Sequence, residues 1–196
     1  GELIVYTEGR YRKKEEFLMT TQNEEFARIQ SYLNAQGAKY SHPEIWERMI
    51  QTRLEFIATL KGVSAEQSKW KPSENEWSIG EIALHLLKSS RNIRTTVVRL
   101  SKELETHSEN VEPPRELTNL TVDEFIKLFR EDSIEWSSAI HSLPTVPPLE
   151  PTSDHSMFGE LHARAWHMFQ RLHDTDHMNQ IKSVKESPDF PAKNDN

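Results

Sequence analysis

The chain contains no cysteine among its 196 residues. This absence excludes disulfide bonds, thiolate-ligated metal sites and a cysteine nucleophile. A chain without cysteine is compatible with a reducing compartment, and we expect a cytoplasmic protein.

Long hydrophobic runs and extended basic clusters are also lacking. No apolar stretch approaches the ~20 residues that a membrane span needs. Asp and Glu number 31 against 24 Lys and Arg, which gives a formal net charge of -7. The sequence therefore predicts a soluble protein that binds neither nucleic acid nor a membrane.

Signals for β-structure are scarce as well. The chain has only six glycines and no Asn-Gly or Asp-Gly turn, and its one alternating β-branched run is Leu3–Thr7. Ten prolines fall in clumps and leave four proline-free windows, each with apolar residues at helical spacing. This pattern predicts an all-α fold, and the length fits one ordinary domain.

The periodicity places the helices within these windows. It predicts four long helices over about 43–61, 78–105, 121–142 and 155–186. Four long amphipathic helices are typical of a four-helix bundle. We therefore predict a bundle domain at 43–186, an N-terminal extension at 1–42 and a flexible tail at 187–196.

Capping residues support several of these boundaries. Ser78 with Glu81 has the pattern of a capping box before the second helix, and Gly62 is placed to end the first helix. In the extension, a further helix is predicted from Thr21 to Gln36, closed by Gly37.

Three of the nine histidines are predicted to face the bundle core. His85 lies on the apolar face of the second helix, and His173 and His177 are one turn apart on the fourth helix. Three imidazoles that converge could hold one metal ion with positions left open. A buried histidine is more often a hydrogen-bonded structural residue, so a buried hydrogen-bond network is the alternative.

The three histidines can meet only if the second and fourth helices are antiparallel. An up-down-down-up order satisfies this condition and needs a long crossover between the second and third helices. Residues 106–120, which include Pro113 and Pro114, could span about 50 Å when extended. The sequence therefore predicts an up-down-down-up bundle with this crossover.

Other polar residues near the three histidines have weaker assignments. Asp174, Asp176 and Gln180 could accept hydrogen bonds from the imidazoles. Glu81 is better explained as the capping residue, and His162 lies about 16 Å along the helix from His173, too far to share an ion.

Several familiar catalytic motifs do not occur. The chain has neither Glu-x-x-His nor His-Glu-x-x-His, so ferritin-like di-iron and zincin sites lack support. It also has no glycine-rich phosphate loop and no Gly-x-Ser-x-Gly elbow, which argues against nucleotide and serine-hydrolase chemistry.

Two segments resemble the DinB/YfiT-like superfamily, whose members are regarded as metalloenzymes. They are Glu76–His85, with the pattern Trp-Ser-x-x-Glu-x-x-x-His, and His173–Ile181, with the pattern His-x-x-x-His-x-x-Gln. The resemblance covers about 43–186 and implies a four-helix bundle in which His85, His173 and His177 are the ligands of a divalent metal ion, commonly zinc or nickel. It also implies a homodimer. Characterised members of the superfamily include S-transferases and isomerases that use low-molecular-weight thiols such as bacillithiol or mycothiol.

Two functions are compatible with these observations. The first is a metal-dependent transferase in which the ion activates a small-molecule thiol toward an electrophilic substrate, although metal-bound hydroxide for hydrolysis is equally available chemically. The second is a non-enzymatic, stress-related or ligand-binding bundle with a structural metal or none. No catalytic acid or base is predicted.

Overall fold

The computed structural model describes residues 2–106 and 113–193, with side chains described from residue 21 onward. Within these ranges, six helices and one hairpin follow one another along the chain. They are α1 (Glu2–Lys39), α2 (His42–Leu60), α3 (Ala65–Lys69), α4 (Ile79–Ser101), α5 (Val122–His141), β1 (Ser153–His155), β2 (Gly159–Leu161) and α6 (Ala163–Lys185).

Helices α2, α4, α5 and α6 form a four-helix bundle, so the predicted all-α fold is confirmed. The bounds of α2 and α5 lie within a residue of the predicted ones, and α4 ends at Ser101 rather than at 105. The predicted capping box of Ser78 and Glu81 begins α4, and Gly62 follows α2 with a φ of 77°. No helix in the described part of the chain is long and apolar enough to cross a membrane.

Contacts between helix ends give the direction of each helix. His42 at the start of α2 hydrogen-bonds to Ser101 at the end of α4 and to His167 near the start of α6. Val122, at the start of α5, shares a core cluster with Val184, at the end of α6. Helices α2 and α6 therefore run one way and α4 and α5 the other, in the order up-down-down-up. The crossover that this order requires is the segment between α4 and α5, of which 107–112 lie outside the described residues.

The predicted start of the last helix is wrong. Residues 153–161, of which helical spacing predicts 155–161 as part of that helix, form an antiparallel hairpin with Ser153 opposite Leu161, and α6 begins only at Ala163. Gly159 has a φ of 76°, which suits the turn and interrupts a helix. The hairpin was missed because Phe158 and Leu161 also fit helical spacing.

Helix α1 is longer than predicted and includes the run Leu3–Thr7, which is therefore helical and not a strand. Gly37 does not end this helix but allows its close approach to α6. A Cβ atom at Gly37 would lie only 2.6 Å from the backbone nitrogen of Ala165. Leu33, one turn earlier, is fully buried in the bundle core.

Hydrogen bonds join the described part of α1 to the hairpin. The side-chain amides of Gln30 and Asn34 donate to the backbone oxygen of Glu160 at 3.1 and 3.0 Å.

At the other end of the chain, the Phe190 ring packs edge-on against Trp70, 5.6 Å away. The division of the chain into 1–42, 43–186 and 187–196 stays a prediction.

A buried ionic cluster connects the four bundle helices at mid-height. The Arg53 guanidinium on α2, which is fully buried, donates to Asp132 on α5 at 2.9 Å, to Asp174 on α6 at 3.2 Å and to Ser90 on α4 at 2.8 Å. Burial acts to lower the pKa of Arg53, but the two carboxylates together raise it above its ordinary value. The guanidinium thus stays charged inside the core and holds all four helices together.

Candidate metal centre

The structure brings the three predicted histidines together between α4 and α6. His85 lies in the second turn of α4, and His173 and His177 are one turn apart on α6, which runs antiparallel to it. One ring nitrogen from each histidine lies within 4.8 Å of the other two. His85 and His173 are buried and His177 is half-buried.

The Nδ1 atom of each ring contacts an acceptor outside the cluster. His85 Nδ1 lies 2.8 Å from the backbone oxygen of Pro113, which can only accept, so Nδ1 carries the proton. His177 Nδ1 lies 2.9 Å from Oε1 of Gln180. His173 Nδ1 lies 3.3 Å from the Ser89 hydroxyl, whose own proton is donated to a backbone oxygen of α4.

These contacts orient the Nε2 atoms toward one another. In a neutral imidazole with a proton on Nδ1, Nε2 carries a lone pair and is the metal-ligating atom. The Nε2 atoms of His173 and His177 are 3.0 Å apart. Two lone pairs at this distance repel each other unless a cation, either a proton or a metal ion, lies between them. Two nitrogens at about 2.0–2.1 Å from one tetrahedral zinc ion would be about 3.3 Å apart, which is close to the separation seen between His173 and His177, and a His85 nitrogen lies within 4.8 Å of both. The donor set therefore suits a divalent ion.

Aromatic rings enclose the cluster on two sides. Phe169 stacks on the His173 ring with centroids 5.1 Å apart, and Trp77 meets the His85 ring edge-on at 5.2 Å. Trp77 and Gln180 also border a surface cleft of about 230 Å³. The outer layer around the histidines is therefore reachable from solvent, whereas the rings themselves are packed in place.

The structure also places the other polar residues that the sequence predicts near the three histidines. Gln180 contacts His177 as predicted, but the Asp174 carboxylate bonds to Arg53 and Gln170 instead of supporting an imidazole. Asp176 is exposed on the surface of α6. His162 is the N-cap of α6, where its Nδ1 accepts from the backbone N–H of Ala165.

Two supporting groups were missed by sequence reasoning. Ser89 lies one helical turn after His85 on the same helix, so its spacing could have indicated it. The Pro113 oxygen is a backbone atom in the crossover, 28 residues from His85, and no residue pattern marks it.

Glu81 completes the predicted capping box at the start of α4, and its carboxylate also binds Arg115 in the crossover. Its carboxylate accepts from the Ser78 backbone N–H at 3.2 Å and forms an ion pair with the Arg115 guanidinium. Burial acts to raise the pKa of Glu81, but the hydrogen bonds from Arg115 and Ser78 outweigh it and hold the pKa below its ordinary value. Glu81 is therefore a charged partner of the crossover and not a ligand of the histidine cluster.

Comparison with known families agrees with this geometry. Residues 48–181 match the family described as the DinB superfamily, and this range contains His85, His173 and His177. The chain belongs to the DinB superfamily. Members of the DinB superfamily generally bind a metal ion, in keeping with the three-histidine group seen here.

Two relatives extend the comparison. The chain is 29% identical over 153 residues to the uncharacterized protein YuaE of Bacillus subtilis (strain 168), an alignment that covers 69% of this chain and 94% of YuaE. The crystal structure of TT2238, a four-helix bundle protein, superposes with a TM-score of 0.57 at 17% identity and covers 72% of this chain and 98% of that protein. The second likeness shows the fold of this DinB-superfamily protein and nothing of its chemistry.

Proposed function

We propose that this protein is a divalent-metal-dependent enzyme of the DinB type. In this proposal His85, His173 and His177 bind one zinc or nickel ion, and the reaction transfers a low-molecular-weight thiol to an electrophilic substrate. The observation that carries the proposal is that the Nδ1 atom of each histidine contacts an acceptor outside the group, while one ring nitrogen from each lies within 4.8 Å of the other two. A dimer and a cytoplasmic location stay predictions.

The number of ligands favours an enzyme over a structural site. Structural zinc sites are closed by four protein ligands, whereas catalytic sites use three and keep a position for water or substrate. The described residues contribute three histidines to this group. When bound, a divalent ion would lower the pKa of a thiol or water that occupies the open position.

The chain's own residues hold the ligands and shield them. The Pro113 oxygen, Ser89 and Gln180 fix the tautomer and orientation of the three rings, as outer partners of metal-binding histidines do. Phe169 stacks on the His173 ring, and Trp77 packs edge-on against the His85 ring. Because the chain has no cysteine, a thiol from solution would meet no competing thiolate of the protein.

Metal content tests the site directly. We expect mass-spectrometric elemental analysis to find about one zinc or nickel per chain in the wild type and none in His85→Ala, because two imidazoles bind far more weakly than three. His141→Ala, which changes an exposed histidine at the end of α5, is the matched control and should keep the metal. A wild type that stays metal-free after incubation with excess ion and dialysis would favour the hydrogen-bond network, with a proton between His173 and His177.

Activity is tested with a chromogenic electrophile. Metal-loaded wild type, mixed with a low-molecular-weight thiol and a chlorinated dinitroaromatic, should form the thioether, with release of chloride and the thiol proton, faster than the thiol alone. His85→Ala should show only the background rate. Metal binding without any such rate would contradict thiol transfer while leaving the metal site intact.

A further inference from the structure

The crossover supplies the backbone acceptor that orients His85. The Pro113 oxygen lies in a segment without regular secondary structure, 2.8 Å from His85 Nδ1. Its position is therefore not fixed by a helix or sheet ladder and depends on the side chains that fasten residues 113–116 to the bundle.

Two ion pairs fasten this segment to α4. Arg115 binds both carboxylate oxygens of Glu81 and also donates to the backbone oxygen of Glu74 at 3.1 Å. Lys88 pairs with Glu116. Both pairs join the crossover to the helix that carries His85.

The two pairs differ in burial and geometry. The side chains of Glu81 and Arg115 are 3% and 29% exposed and their contact is bidentate, whereas the side chains of Lys88 and Glu116 are 42% and 55% exposed. Bidentate guanidinium–carboxylate contacts are strong and directional, and exposed lysine pairs contribute little. The Arg115 contact is thus the one that can fix the segment.

Glu81 has a fixed position close to His85 and can hold the crossover there through Arg115. It lies one helical turn before His85 on α4, and its own position is fixed by the capping box with Ser78. Arg115 is two residues from Pro113 on the crossover. Glu81 at the start of α4 therefore binds Arg115, and Arg115 lies two residues from the Pro113 oxygen that contacts the His85 ring.

We infer that Arg115 is a positioning residue of the metal centre: through its ion pair with Glu81 it holds the Pro113 oxygen against His85 Nδ1 and so presents His85 Nε2 as a ligand. The inference rests on the proposed metal site for its effect on affinity. The effect on the His85 ring itself does not need a metal.

The experiment compares the wild-type chain with four variants, each of which carries one substitution. Arg115→Ala removes the ion pair, and Glu81→Gln removes its charge while glutamine can still complete the capping box. Lys88→Ala is the matched control, because it removes the exposed pair on the same segment. Arg115→Lys tests whether a cation without the planar fork restores part of the function.

Two readouts are measured on each chain. The affinity for cobalt(II) is followed by its visible absorption, and the tautomer of His85 is followed by ¹⁵N NMR of the metal-free protein. Arg115→Ala and Glu81→Gln should each lower cobalt affinity by about 10-fold, the scale of outer-layer substitutions in metal sites. A fifth variant that carries both substitutions should lose no more affinity than either single variant, because both remove the same ion pair. Both should reduce the fraction of His85 protonated at Nδ1, with Arg115→Lys intermediate and Lys88→Ala like the wild type.

The two readouts separate the two proposals. If the wild type does not bind cobalt, the proposed metal site fails, but a change of His85 tautomer in Arg115→Ala would still support the positioning role. If the wild type binds cobalt and Arg115→Ala changes neither affinity nor tautomer, the positioning role is wrong. A lower melting temperature alone, with both readouts unchanged, would equally overturn it.

Discussion

Among its described residues the bundle contains two histidine clusters, one toward each end, and they differ in the partners of their rings. At one end, His85, His173 and His177 each direct Nδ1 to an outside acceptor. At the other end, His42 and His167 face each other through their Nδ1 atoms at 2.8 Å. The comparison shows that the acceptors around a histidine, more than its burial, decide which nitrogen is presented to a ligand.

The His42–His167 pair is built as part of the core. His42 Nε2 lies 2.9 Å from the Ser101 hydroxyl, and the His167 ring stacks on Trp136. Among the described residues, none forms a hydrogen bond with the buried His167 Nε2. Burial, together with the charge of Arg164 nearby, lowers the pKa of His42 to about 4. This pair therefore stays neutral at pH 7 and holds the ends of three helices together.

Substitution at one cluster should abolish metal binding, and substitution at the other should not. We expect His173→Ala to lower the bound zinc or nickel from about one ion per chain to none, because it removes one of three ligands. His167→Gln, the control at the other end of the same helix, should keep full stoichiometry as long as circular dichroism shows a folded chain. Equal loss of metal in both variants would contradict the assignment of separate roles.

Between the two clusters lies the Arg53 ionic cluster, which should dominate stability. Arg53→Ala leaves the Asp174 carboxylate buried without its cation, while Asp132 keeps its ion pair with Arg94, so we expect the free energy of unfolding to fall by about 3–5 kcal/mol in urea denaturation. Lys127→Ala, which removes an exposed pair with Glu131, should change it by less than about 0.5 kcal/mol. A loss below about 1 kcal/mol for Arg53→Ala would show that the cluster is not a major source of stability.

Sequence patterns predicted the elements whose signals are local. Proline spacing and apolar periodicity gave α2 and α5 almost to the residue, and the i, i+4 spacing of His173 and His177 predicted that they share a face. The length of the segment between the second and third predicted helices indicated the crossover that lets His85 meet them.

Sequence patterns gave wrong or no predictions where contacts between distant parts of the chain determine the structure. Phe158 and Leu161 fit helical spacing, but in the structure they belong to the hairpin, where the Phe158 ring packs edge-on against Phe26 of α1. Gly37 was assigned as a helix end, although its role is to let α1 approach Ala165. The Pro113 oxygen could not be found, because every residue carries a backbone carbonyl and only the fold selects one.

The smallest predicted effect is the loss of folding stability at low pH that the His42–His167 pair causes. Burial lowers the pKa of His42 from about 6.5 in the unfolded chain to about 4, and it lowers the pKa of His167 as well. As the pH falls below about 6.5 the unfolded chain takes up these protons first, so the folded state loses stability between pH 6.5 and 4. For His42 alone the loss between pH 7 and 5 should be about 2 kcal/mol.

The measurement is urea denaturation of metal-free protein at pH 7, 6 and 5, with His42→Asn as the matched variant. Asparagine does not titrate, so the variant should be less stable than the wild type at pH 7, and the difference should shrink by about 2 kcal/mol at pH 5. Burial, the larger cause of the lowered pKa of His167, acts in both chains and so largely cancels in this difference. A difference that stays constant with pH would mean that His42 is protonated as readily in the folded chain as in the unfolded one, which would remove the contrast between the two histidine clusters.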